Sequence, residues 1–166
     1  MNLTIREIRA KSILTKSGIP GIDYCINPYV GCAHGCRYCY ATFMKRYTGH
    51  TEAWGSFVDV KINAPEILQR QLKRAKRGRI LISSVTDAYQ PIESKYKLTR
   101  QCLEILLQSQ LPVDILTKSP LVLRDMDLIK KFKDIEVGIT ITTHEEKIIC
   151  IFLFRLVPQS GFNLAD

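Results

Sequence analysis

Past residue 60 the chain alternates compact apolar runs with amphipathic stretches. Arg79 to Val85 (RILISSV) is apolar and β-branched, the pattern of a parallel strand covered on both faces. Pro112 to Thr117 (PVDILT) and Ile135 to Thr142 (IEVGITIT) have the same character, and a run near Ile22 to Ile26 makes a fourth strand. Helix signals lie between them. Asn63 and Glu66 form a capping-box-like pair with Pro65 in the first turn, and Gly78 predicts the helix end. Thr99 predicts the cap of a second helix, whose apolar face is Leu98, Cys102, Ile105 and Leu106. Ser119, followed by Pro120, opens a third that carries Val122, Met126 and Ile129.

Strand–helix alternation implies right-handed crossovers and a parallel sheet. About four strands cannot close a barrel. The expected fold is therefore α/β, either an open partial (βα) barrel with helices on its outer face or a doubly wound sheet, with barrel-like curvature preferred. In both, function gathers at the carboxyl ends of the strands.

With 166 residues, 46% hydrophobic and 24% charged, the chain is predicted to form one globular domain with a real core. A formal charge of +8 favours polyanionic partners such as nucleic acid, or an anionic cofactor. The segment Arg70 to Arg79 holds six basic residues but no interleaved aromatics, so a solvated helix face is expected before a nucleic-acid contact. Trp54 and Tyr47 lie near it in sequence, with no sign that they share a face. The start (MNLTIREIRAK) has no signal-peptide core, and the apolar run Ile148 to Phe154 is too short to span a bilayer. A cytoplasmic location with no membrane partner is expected.

Six cysteines are present, and three crowd into eight residues, which a spread disulfide scaffold would not do. Residues 31 to 40 read GCAHGCRYCY, giving C-x3-C-x2-C through Cys32, Cys36 and Cys39. Gly31 and Gly35 let the backbone wrap closely. A closed cubane or a structural zinc wants four ligands, so three cysteines leave a metal position open. A zinc site completed by His34 or Cys25 is the competing reading.

C-x3-C-x2-C with an aromatic before the last Cys resembles the signature of the radical S-adenosylmethionine (SAM) superfamily. The stretches DYCINPYVGCAHGCRYCYA, VDVKINAPEIL, ISSVTDAYQPIE, LTRQCLEIL, ILTKSPLVLRDMDL and VGITITTHEEK are similar to the branch named after spore photoproduct lyase, also called DNA repair photolyase-like. The resemblance covers roughly residues 20 to 147. It implies one radical SAM core domain over 1–166, in the superfamily's partial (βα) barrel, and a lyase-like radical enzyme. Cys32, Cys36 and Cys39 would bind three irons of a 4Fe-4S cluster, and the fourth iron would chelate the methionine amino and carboxylate groups of SAM. One-electron cleavage would then give a 5′-deoxyadenosyl radical. An external flavodoxin- or ferredoxin-like electron donor is implied, with nucleic acid as a candidate substrate.

Tyr38 matches the aromatic near the adenine. Where relatives carry a glycine-rich motif for the methionine ammonium, this chain has SSVTD, so Ser84, Thr86 or Asp87 would accept it, with Asp87 the best charge match. A polar loop approaching a helix accounts equally well for that segment. Lys118 could pair with the cofactor carboxylate or a substrate phosphate, and Ser119 is expected to be a helix cap. Thr140, Thr142 and Thr143 could meet ribose hydroxyls, although Thr also favours strands. Cys25, Cys102 and Cys150 are expected in the core. Residues 148–166 depart from the family pattern and hang an apolar end on an unpaired strand. This predicts a truncated or frame-shifted remnant of a longer enzyme, with an inactive fragment or a zinc-holding nucleic-acid module as the alternatives.

Overall fold

A computed structural model describes residues 3–140 and the backbone of strand 151–154. Strands β1 (Thr4–Ile8), β2 (Leu14–Lys16), β3 (Tyr24–Ile26) and β4 (Tyr29–Val30) precede a 3-10 helix, Tyr40–Tyr47. Then come β5 (Phe57–Lys61), helix α1 (Ala64–Leu72), β6 (Ile80–Ile82), α2 (Glu93–Tyr96) and α3 (Leu98–Ser109). Strand β7 (Val113–Thr117), a 3-10 turn at Pro120–Asp125, α4 (Met126–Ile129), β8 (Ile135–Thr140) and β9 (Ile151–Phe154) complete the described chain.

These strands form two sheets. The larger has the order β2-β3-β6-β7-β8-β9. Its four central strands are parallel, while β2 and β9 pair antiparallel at the edges. The smaller, β1-β5-β4, has no counterpart in the sequence expectations. Part of the apolar end, Ile151–Phe154, shows no period in sequence and yet is a strand paired to β8.

Sheet order follows chain order from β3 to β8, so right-handed crossovers place every connecting helix on one face. Helices α1, α3 and α4 do pack side by side and share one core with the sheet. A doubly wound sheet needs a reversal of strand order, which these strands lack. The result is a mixed α/β fold consistent with a partial barrel.

The parallel strands are not apolar on both faces. Ile80, Ile82, Val113, Ile115, Ile135 and Val137 point into the helix-side core. Alternate residues Leu81, Asp114, Leu116 and Glu136 face away from it and stay partly or wholly exposed. Because helices cover only one side, the strands alternate as half-buried strands do. Strand β6 also stops early. Ser83 takes φ 67°, donates its N–H to the Ile26 carbonyl at 2.7 Å and turns the chain out of the sheet.

Three helix-end expectations need correction. Helix α1 ends at Leu72, where Arg74 and Ala75 tighten onto the Gln71 carbonyl. Gly78 instead lets the chain pass Asp23, since a Cβ there would sit 2.6 Å from the Asp23 Cβ. Asn63 makes no cap bond, because its side chain pairs with the Ala10 N–H and carbonyl. Thr99 lies inside α3, its hydroxyl donating to the Ala88 carbonyl, while Lys97 (φ 53°) joins α2 to α3. Ser119 does cap, accepting from Leu121 N–H, though a 3-10 turn precedes the short α4. On α3, Leu103 rather than Ile105 completes the fully buried face.

Beneath the carboxyl ends lies a buried ionic network. Glu93 is fully buried and accepts from Tyr29 Oη, from Thr99 N–H at 3.0 Å and from Arg124 Nη2 at 2.7 Å. Arg124 and Arg100 both reach buried Asp125. Glu93→Ala would leave the Tyr29 hydroxyl and the Thr99 N–H unpaired at a void and Arg124 with Asp125 as its remaining carboxylate. An expected loss of ~3–5 kcal/mol would be measured by chemical denaturation. Glu104→Ala, which removes only an exposed pair with Arg100 at 3.3 Å, should change stability by no more than ~0.5 kcal/mol.

Candidate functional site

The chain leaves β3 through Asn27 and Pro28, adds β4 to the smaller sheet, and enters the cysteine loop at Gly31. Gly31 has φ 82°, and a Cβ there would lie 2.4 Å from the Phe57 carbonyl oxygen. Gly35 (φ 56°) meets Gly55 backbone to backbone, where a Cβ on Gly55 would come within 2.6 Å of the Gly35 Cα. The loop therefore lies on a platform made by residues 54–57, and side chains at either contact would lift it off. Two tight turns, Gly35 N–H to Cys32 carbonyl and Cys39 N–H to Cys36 carbonyl, wind it.

The platform is itself braced. His50 stacks on Phe57 with centroids 3.9 Å apart, and Trp54 meets the Phe57 edge. Through its two ring nitrogens His50 reaches Asp59 at 2.9 Å and Glu52 at 3.0 Å. Arg6 on β1 holds the same Asp59 oxygen at 3.0 Å. Tyr47 is exposed on the 3-10 helix, apart from the buried packing around Trp54 and Phe57.

Cys32, Cys36 and Cys39 all line one cavity of about 260 Å3, with Ser83, Ser84, Thr86 and Asp87 from the end of β6. Leu116 and Thr117 of β7, Lys118 just beyond it, and Thr140 of β8 close its other side. Tyr38 stands at the rim, 67% exposed. The structure thus gathers the cysteines with Tyr38, Ser84, Thr86, Asp87 and Lys118 at the carboxyl edge of the sheet. Thr142, Thr143 and Cys150 lie outside the described residues. Cys25 and Cys102 are buried free thiols on β3 and α3, and burial pushes the Cys102 thiol pKa up.

The cavity's electrostatics follow from its contacts. Burial raises the Cys32 thiol pKa, opposed by backbone N–H bonds from His34 and Asp87. Lys118 Nζ lies 3.1 Å from Cys36 Sγ and 3.4 Å from Tyr38 Oη. Burial works against its charge, yet those two contacts hold its pKa above the ordinary lysine value. Asp87 accepts from Tyr89 N–H (2.8 Å), Thr117 Oγ1 (2.6 Å) and Lys118 N–H (2.9 Å), and His34 Nε2 stands 3.4 Å away. Burial alone would raise its carboxyl, but these bonds outweigh it and hold the pKa below the usual range. The hydroxyls of Ser83 and Thr86 are buried at the cavity without a partner.

His34 therefore faces Asp87, and Cys25 sits on β3 in the sheet. Among the described residues, no three His, Cys, Asp or Glu side chains are grouped as a single metal ion would require. The basic stretch 70–79 leads from α1 into the amino end of β6, the opposite edge of the sheet from this cavity. Within it Arg79 ties Asp114 to Asp134, and Arg77 meets the Gln110 carbonyl. Sequence reasoning missed Gln90, fully buried and bonded to the cysteine-loop backbone. A polar residue in a loop segment carries no periodic signal that could reveal it.

The family model of the radical SAM superfamily matches residues 26–159, a span that contains every element of this cavity. This chain belongs to the radical SAM superfamily. An uncharacterized protein of Methanocaldococcus jannaschii is 47% identical over 143 residues, covering 86% of this chain and 53% of that protein. One of Mycobacterium tuberculosis is 34% identical over 135 residues, covering 76% of this chain and 39% of its own length. One of Acidianus two-tailed virus is 32% identical over 147 residues, 83% of this chain and 48% of that protein. The chain spans about half the length or less of these curated relatives. No solved structure matches it. Among the described residues no helix is long and apolar enough to cross a membrane.

The platform's acid sensitivity is testable. The Glu52 carboxyl is pulled down to about 2, by its own backbone N–H first and by His50 second. A depressed carboxyl adds stability above its unfolded value and loses it as pH falls toward the folded one. Glu52→Gln should therefore be less stable than the parent at pH 7, and the difference should vanish near the folded value of about 2, as read by thermal melts across pH.

Proposed function

We propose that the chain is a radical SAM enzyme, with Cys32, Cys36 and Cys39 holding a 4Fe-4S cluster and the rest of the cavity holding SAM. The carrying observation is that three cysteines and the polar ends of β6, β7 and β8 line one cavity. Each cysteine would bind a different iron, so the sulfurs need not converge as they must around one ion. The orphaned hydroxyls of Ser83 and Thr86 fit a polar ligand, because buried polar atoms are seldom left without partners.

When bound, the cluster would supply an electron and an open iron position, and SAM the 5′-deoxyadenosyl radical. The chain's own residues bind and orient. Lys118, held charged, would take the cofactor carboxylate. The ammonium would go to hydroxyls of Ser83, Ser84 or Thr86. Asp87 lends its charge from behind them, since its oxygens already accept from Tyr89, Thr117 and Lys118 and face His34. Tyr38 at the rim would stack on adenine, and Thr142, two residues beyond the cavity-lining Thr140, would meet the ribose.

The photolyase-like branch and a nucleic-acid substrate belong to the same proposal. They are supported by the sequence resemblance and by the 3-10 helix after the loop, where exposed Phe43 and Tyr47 lie beside Lys45 and Arg46. Aromatics among cations suit stacked bases and phosphates. An external low-potential flavodoxin- or ferredoxin-like protein would provide the electron, in the cytoplasm.

Anaerobic reconstitution with iron and sulfide, followed by reductive SAM cleavage, tests the reading. The parent should turn brown and release 5′-deoxyadenosine, and Cys36→Ala should lose at least about 100-fold of that activity. A colourless protein that holds zinc would overturn it.

A further inference from the structure

A loop wound around three sulfurs must find partners for backbone groups that it cannot satisfy itself. On either side of Cys32, one residue provides them. Gln90 accepts from Ala33 N–H through Oε1 at 2.9 Å and donates Nε2–H to the Gly31 carbonyl at 3.3 Å. Its side chain is fully buried. A primary amide presents one donor and one acceptor side by side, and so matches the carbonyl and N–H that flank Cys32. A charged side chain at the same place would carry a desolvation penalty that these neutral peptide groups could not offset.

The bracket is rigid behind the amide as well. Gln90 N–H bonds to the Asp87 carbonyl, and Glu93 N–H bonds to the Gln90 carbonyl. Tyr89 and Glu93 on either side are fully buried, Glu93 within the ionic network under the sheet edge. The segment that holds Cys32 is thus fixed to the core at both ends. The other two cysteines are held on one side each: both are partly exposed, Lys118 Nζ lies 3.1 Å from Cys36 Sγ, and Tyr40, next to Cys39, donates its hydroxyl to the Ser84 carbonyl.

We propose that Gln90 is the positioning residue that sets Cys32 as the anchoring ligand of the centre; this rests on the cluster reading above. The bracket exists before the centre is loaded, so it acts by preorganising the loop. It fixes the backbone on both sides of Cys32, and with it the direction of the sulfur. Hydrogen bonding around cluster sulfurs sets the electronic character of such centres, so the bracket also governs how the reduced centre appears spectroscopically.

Gln90→Met keeps length and volume and removes both bonds. In the cluster-free protein, the Ala33 amide should lose its protection from hydrogen exchange. After reconstitution, iron should be lost to a chelator about tenfold faster than from the parent, with an altered paramagnetic resonance spectrum of the reduced centre. Thermal stability alone would not produce that spectral change. Parent-like chelation rate and spectrum in Gln90→Met would overturn the inference. Should Gln90→Met not fold, Gln90→Asn decides, since it keeps a neutral amide in the same place but is one methylene too short to hold both the Ala33 N–H and the Gly31 carbonyl. An intermediate rate supports the bracket, and a parental rate overturns it. A parent chain that takes up no iron sinks the cluster reading, and this inference with it, before any variant is compared.

Discussion

Three sulfurs can serve one inorganic centre only if the backbone between them is wound and held, and a wound loop satisfies few of its own peptide groups. In this chain the holding is done by distant segments. Phe57 and Gly55 press on Gly31 and Gly35 from below. Gln90 brackets Cys32, and Asp87 stands against His34. Two of these partners follow β6 and two precede or begin β5, so the loop cannot take its shape until both sheets have formed. That dependence explains why a small sheet that contributes nothing to the cavity lining is nonetheless needed: β5 carries Phe57, and β4 delivers the chain to Gly31.

The one-sided winding of the larger sheet supplies the rest. With helices on one face only, the strands bury Ile and Val toward α1, α3 and α4 and leave the other face, with Leu81, Asp114, Leu116 and Glu136, partly or wholly exposed. At its carboxyl edge that face carries Leu116 and Thr140 and meets the cysteine loop. Nearer its amino edge, Arg79 bridges Asp114 and Asp134, and burial pushes the Asp114 carboxyl pKa up even against that bridge. Binding groups and structural charge are thereby separated along the strand direction.

Much of this was legible in local pattern. The four parallel strands, their chain order and the Ser119 cap follow from periodicity, and Ser84, Thr86, Asp87 and Lys118 from the rule that sites sit at strand ends, while Cys32, Cys36 and Cys39 came from their spacing and Tyr38 from the family resemblance. Features set by tertiary contact, most of them across 50 or more residues, were not legible. Asn63 resembles a cap until Ala10 takes its side chain. Thr99 resembles one until it turns to Ala88. Gly78 resembles a helix stop until Asp23 packs on it. The smaller sheet escaped notice because β1 is an exposed edge strand and β4 only two residues long. Gln90 and Arg6 bond to partners more than 50 residues away, His50 and Asp59 pair off any helical or strand period, and a one-dimensional pattern holds no trace of such pairings.

The account centres on one cavity in which three cysteines leave an iron position for SAM. Paramagnetic resonance of the reduced, reconstituted protein with and without SAM addresses that most directly. The account predicts a 4Fe-4S signal that changes shape when SAM is added, because the cofactor takes the open iron. A signal indifferent to SAM would contradict it, since the iron position would then be closed or the cavity unable to hold the cofactor.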